Sequence, residues 1–141
     1  AEQQAEEMLL AVLLEHPDLA LGCQDIVEEV GFVHQARRQI FDCILAHDGG
    51  QTVEVHRLME ILEDEASSVL AGILSKNVPD GDCAKIIDDC LRQMKKGFLE
   101  KEYEKHRLLA DEYERSGTER FMDELLESQR INNEIKRLYG S

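Results

Sequence analysis

The sequence predicts an all-α protein, a compact helical bundle followed by a long helical neck and a C-terminal helical hairpin. Three observations predict it. Apolar residues recur at helical spacing along nearly the whole chain. Only two prolines and nine glycines interrupt them, which favours long helices over many-turned sheets. The 141 residues are 43% hydrophobic and 33% charged, enough apolar material for a core and too regular a pattern for a disordered acidic tail.

The elements follow in order. Ala5, Met8, Leu9, Val12 and Leu13 form one stripe from about Glu2 to His16, where Pro17 stops the helix. Leu10 and Leu14 widen that stripe, as expected of a helix packed on two sides. A shorter helix is expected from about Asp18, with Leu21, Ile26, Val27 and Val30 and a cap at Gly31. Val33 to about His47 repeats the pattern through Ala36, Ile40, Phe41, Ile44 and Leu45, ending at Gly49–Gly50. Thr52 is the expected N-cap of a helix carrying Val55, Leu58, Met59 and Leu62.

Ala66, Val69, Leu70, Ile73 and Leu74 predict a helix from about Asp64 to Lys76, and Asn77 to Gly81 is the clearest loop. Asp82 then caps the longest helix, with Cys83, Ile86, Ile87, Cys90, Leu91, Met94 and Phe98 on one face. Residues 100–107, EKEYEKHR, keep the helix but leave only Tyr103 to bury. Glu102 with Lys105 and Glu104 with Arg107 are spaced to steady it as ion pairs. Ser116 and Glu119 are spaced as a capping box in the turn before a last helix, which runs to about Tyr139. This divides the chain into a bundle, residues 1–99, and a neck with hairpin, residues 100–141.

Charge narrows the function. The net charge is -14, of which the bundle carries -11, and no lysine or arginine precedes Arg37. Such a surface repels phosphates, so a protein partner is expected rather than strong nucleic-acid binding. No apolar run approaches the ~20 residues that span a bilayer, and no signal sequence opens the chain. The start at Ala1 fits a piece of a longer cytosolic protein, with Gly140–Ser141 as an appended scar.

Chemistry-bearing motifs are sparse. Phosphate-cradling glycine loops are absent. Cys23, Cys43, Cys83 and Cys90 lack metal-ligand spacing and read as small, reduced core thiols. His56 with Glu60 and Glu102 with His106 are each one turn apart, but neither matches the Glu-x-x-His of di-iron bundles. Asp80–Gly81–Asp82 reads as turn and cap. No metal, cofactor or catalytic residue is therefore expected in this piece.

The informative segment is the hairpin. All three tyrosines lie after residue 100, where no large core is available. Two antiparallel helices share one seam, which Phe121, Leu125 and Ile135 would fill; Leu126, Ile131, Leu138 and Tyr139 are surplus to it. Apolar and tyrosine side chains beside Arg130, Lys136 and Arg137 are what a partner-binding surface needs. Packing on the bundle, or a hairpin-exchanged dimer, would cover the same residues.

Three stretches carry a family resemblance. EEMLLAVLLEHPDLA, Glu6 to Ala20, is a leucine-rich helix closed by His-Pro. FVHQARRQIFDCI, Phe32 to Ile44, places an aromatic before a helix that starts near two arginines. DEYERSGTERFMDELLESQRINNEIKRLYG, Asp111 to Gly140, is an acidic helix, a short glycine turn and a second helix. In this order they resemble the C-terminal helicase-binding domain of bacterial replicative DNA primase (DnaG type), over essentially the whole chain.

The resemblance implies a non-catalytic domain of a cytoplasmic primase, whose zinc-binding and magnesium-dependent polymerase domains lie upstream. It implies that the hairpin docks on the N-terminal domains of the hexameric replicative helicase, bringing primase to the fork, and that the bundle modulates the helicase. The docking face would be Leu126, Ile131, Ile135, Leu138 and Tyr139, rimmed by Arg130, Lys136 and Arg137. In some relatives the bundle also contacts single-stranded-DNA-binding protein through a basic pocket, for which Arg37, Arg38, Arg57 and Lys76 are the candidates here. The alternatives are the N-terminal domain of the helicase itself, a generic adaptor or dimerisation module, and, from another class, a small helical metalloenzyme.

Overall fold

The second half of the first helix is apolar on every side, and a helix of that kind must be surrounded. In the computed structural model, which describes residues 2–47 and 54–140, α1 (Glu2–Glu15) is the central element of a helical core. Leu9, Leu10, Ala11, Val12, Leu13 and Leu14 are all buried. α2 (Gln24–Val30) adds Val27 to this core, α3 (Gln35–Leu45) packs on α1, α4 (Val55–Ile61) packs on the next helix, and that helix, α5 (Asp64–Leu74), packs on α1 and α3. α6 (Cys83–Ser116) and α7 (Phe121–Tyr139) complete an all-helical chain, with no strand among the described residues.

Two compact units divide the chain, Ala1–Met94 and Lys95–Ser141, so the division falls inside α6. In the first unit Val27, Ile40, Phe41, Ile44, Leu70 and Ile73 close on α1, and the start of α6 adds Ile87, Cys90, Leu91 and Met94. The rings of Phe32 and Phe41 meet at 5.7 Å with a 45° tilt.

Local chemistry moves several predicted boundaries. The helix expected from Asp18 is two 3₁₀ turns, Pro17–Leu19 and Leu21–Cys23, followed by α2. Pro17 starts the first turn, where its missing N–H is no loss, and the bonds there run from Ala20 to Pro17 and from Cys23 to Ala20. Gly31 closes α2 at φ 70, its N–H bonded to the Val27 carbonyl at 2.8 Å. α3 begins at Gln35 rather than Val33, and the Val33 N–H ahead of it donates to the Glu6 carboxylate, at 3.1 and 3.3 Å from its two oxygens. α5 ends at Leu74, where Ser75 Oγ donates to the Gly72 carbonyl at 2.7 Å.

Asp82 does cap α6, accepting the Ala84 N–H at 3.0 Å. The capping box expected of Ser116 and Glu119 is not formed. Gly117 turns the chain at φ 71, and Ser116 Oγ binds the Tyr113 carbonyl and Thr118 Oγ1. α7 starts only at Phe121, after Arg120, which offers no side-chain cap. The cap expected at Thr52 and the break at Gly49–Gly50 lie outside the described residues.

A buried ion network also ties the first unit together. Arg37 donates to Glu6 at 2.9 Å and to Glu7 at 3.1 Å, and Lys76 reaches Glu7 at 2.9 Å. Glu6 is 1% exposed and Arg37 6%, so this pair is core. Arg37 Nε is buried without a partner.

Candidate functional site

The second unit has little to bury. Leu99, Ala110 and Ile131 are its buried apolar residues among those described, joined by Ser128. The His106 ring on α6 meets the Glu124 carboxylate on α7. In an antiparallel pair that register sets Leu99 opposite Ile131 and Ala110 opposite Arg120, next to Phe121. The small side chains of Ala110 and Ser128 allow close approach, and Ser128 Oγ donates back to the Leu125 carbonyl at 2.8 Å. At the end of α7, Lys96 Nζ lies 6.0 Å from the Tyr139 ring centre, a cation–π contact.

Helical geometry then sorts the predicted docking residues into two sets. At about 100° per residue, the seam side of α7 is Phe121, Glu124, Ser128, Ile131, Ile135 and Leu138. Ile131 is 3% exposed, while Ile135, Leu138 and Tyr139 are half-buried. Ile131 therefore belongs to the packing and does not form part of an open face.

Leu126 is 57% exposed and points the other way, with Arg130, Lys136 and Arg137 also exposed. Met122, which the sequence reading passed over, is 47% exposed one turn before Leu126. Its place follows from the register, since it lies on the far side of α7 from Glu124, Ser128 and Ile131. The outer face of α7 thus runs from two apolar side chains to a basic end.

Ion pairs fix the flanks of this face. Arg130 donates to Glu127 at 2.6 Å and to Glu134 at 3.5 Å. The hydrogen bond from Arg130 holds the Glu127 carboxyl below the usual carboxylate range, aided by the charges of Arg130 and His106. On α6, Arg107 clasps Glu104 at 2.6 Å and Asp111 at 3.3 Å, and the Glu104 carboxyl is lowered by that hydrogen bond. Glu102 lies 3.6 Å from His106 Nε2.

The basic candidates of the first unit do not assemble into an open pocket. Only Arg37 and Lys76 come together, and both are bound to Glu7. Arg38 pairs with Asp42 at 3.0 Å and Arg57 with Glu54 at 3.0 Å. An apolar groove of about 230 Å³ lies between Ala11, Leu14, Val55, Ile73, Leu74 and Val78, with Glu15 and Lys76 as its charged lining.

Among the described residues no three His, Cys, Asp or Glu side chains are arranged to hold a metal. His56 is an exposed side chain 3.8 Å from Glu54. Burial pushes the Cys90 thiol up to about 11 and raises Cys23 and Cys43, which disfavours thiolate chemistry. No described helix is long and apolar enough to cross a membrane. Comparison with protein-family models, with curated proteins and with solved structures finds no match for this chain.

Proposed function

We propose that this chain is a recruitment module, whose C-terminal hairpin docks on the N-terminal domains of a hexameric replicative helicase and brings an attached primase to the replication fork. The observation that carries the reading is the outer face of α7. A 19-residue helix that buries Ile131 on one side presents Met122 and Leu126 at 47% and 57% exposure on the other. Exposed apolar anchors beside arginine and lysine are the composition of a binding surface.

Order, turn and helix pattern resemble the primase domain, and that resemblance selects the partner. The docking set is Met122, Leu126, Arg130, Lys136 and Arg137, with Tyr139 at its edge and Ile131, Ile135 and Leu138 supporting it from the seam. Tethering raises the effective concentration of primase at the fork, so a modest and reversible contact is enough. The bundle's -11 charge and the pairing of Arg37 and Lys76 with Glu7 argue against an acidic partner there. A contact with single-stranded-DNA-binding protein is therefore the weaker part of the proposal.

The test is calorimetric titration of the full chain against the cognate helicase, with a Leu126→Ala, Met122→Ala double variant beside the wild type. Loss of about 1–2 kcal/mol of binding per anchor is expected, with circular dichroism unchanged. Equal affinity of a folded double variant removes this face from the interface.

A further inference from the structure

His106 is the one histidine after residue 94; His16, His34, His47 and His56 all lie in the first unit. Its surroundings are acidic on both sides. Nδ1 meets the Glu124 carboxylate on α7, and Nε2 lies 3.6 Å from Glu102 on α6. Glu127 on α7 also feels its charge and is itself held by Arg130. The neighbouring cation Arg107 is turned to Glu104 and Asp111.

A neutral imidazole carries one donor and one acceptor nitrogen. Placed here, its acceptor lone pair would face a carboxylate. Only the doubly protonated ring offers an N–H in both directions. We propose that His106 is a proton-operated latch: its imidazolium, between Glu102 of α6 and Glu124 of α7, clamps the two helices, and loss of the proton loosens them.

Two features give the latch weight. The side chains of His106 and Glu124 are only 19% and 23% exposed, so water and salt screen them less than a surface pair. The seam they bridge has few fully buried apolar residues, Leu99, Ala110 and Ile131, so a charged contact across it is not swamped by a large core. The clamp holds while the ring carries both protons and is lost with either one, so closure of the hairpin follows the charge on His106. The inference does not depend on which partner the hairpin meets.

The chain supplies its own probe. Tyr103, Tyr113 and Tyr139 are its only tyrosines, all lie in the second unit, and there is no tryptophan. Near-ultraviolet circular dichroism of the full chain therefore reads the hairpin, and phenol ionisation near pH 10 does not intrude. Between about pH 5 and 8 the tyrosine signal should weaken as pH rises, with the midpoint at which ring NMR shows His106 losing its proton. H106Q should abolish the transition, and E124Q, which keeps the histidine, should flatten it. A tyrosine signal that stays constant while His106 titrates would overturn the latch. So would a transition that persists unchanged in a folded H106Q or E124Q protein.

Discussion

The two units solve the same problem with opposite means. Residues 1–94 bury an apolar helix on all sides and fix it with an ion network at its N-terminal end. Residues 95–141 pair two amphipathic helices over a thin seam studded with carboxylates and cations; apolar side chains lie outside in both units, Leu21 and Ile61 in the first and Leu108, Met122 and Leu126 in the second. The first arrangement gives shape that tolerates few changes. The second gives a surface whose stability and exposure trade against each other, and such surfaces suit reversible contacts. The same residue type therefore has a different setting in the two units: Leu13 is core, Leu126 is exposed surface.

Breaking the Arg37 network should have the largest effect. Arg37→Ala strands the buried Glu6 carboxylate and leaves the Val33 amide as its remaining neutral partner. Unfolding by urea should show a loss of about 3–5 kcal/mol in the first unit. A loss under about 1 kcal/mol would mean that the network contributes little.

Next comes the seam. Ile131→Ala should destabilise the hairpin by about 2–3 kcal/mol, at the low end for buried isoleucine because a thin seam collapses readily. Leu126→Ala should stay within about 0.5 kcal/mol of the wild type, since its side chain is exposed. Tyrosine near-ultraviolet dichroism on both variants measures the contrast, and equal effects would erase the distinction between the two faces of α7.

How far this contrast could be read from the sequence depends on what each residue touches. The helices, the turn at Gly117 and the helical strip 100–107 follow from apolar spacing and from glycine and proline, which are local properties. The ion network does not, because Glu6 and Arg37 are 31 residues apart and meet only through the packing of α1 on α3. Arg37 therefore looked like a surface base. Ile131 was misplaced for a similar reason: the number of surplus apolar residues on α7 is visible in the sequence, but which of them lies inside depends on the register with α6, set by pairs such as His106 with Glu124. Leu126 already stood out in the sequence as surplus to the seam, whereas Met122 becomes legible once that register is known.

Acid offers a smaller test. Glu7 has its carboxyl lowered from 4.5, first by the hydrogen bond from Lys76 and against the cost of burial, with help from the Lys76 and Arg37 charges. A lowered value means that its contribution is fully present above about pH 4.5 and is lost as pH falls through the folded value. Glu7→Gln should thus lower Tm at pH 7 and matter progressively less towards pH 3, as followed by thermal melts across that range. A deficit that is the same at every pH would assign the effect to packing instead. Smallest of all, Arg38→Ala removes an exposed pair with Asp42. It should change stability by less than about 0.5 kcal/mol, measurable in the same melts.

The most direct measurement is the binding of the full chain to the N-terminal domains of the hexameric replicative helicase, by calorimetry at low salt, for the wild type and for Leu126→Ala with Arg137→Ala. We predict saturable binding by the wild type and a clear weakening in the variant, with its helical dichroism intact. A folded wild-type chain that does not bind, or a variant that binds as well as the wild type, would contradict the assignment of α7's outer face as the dock.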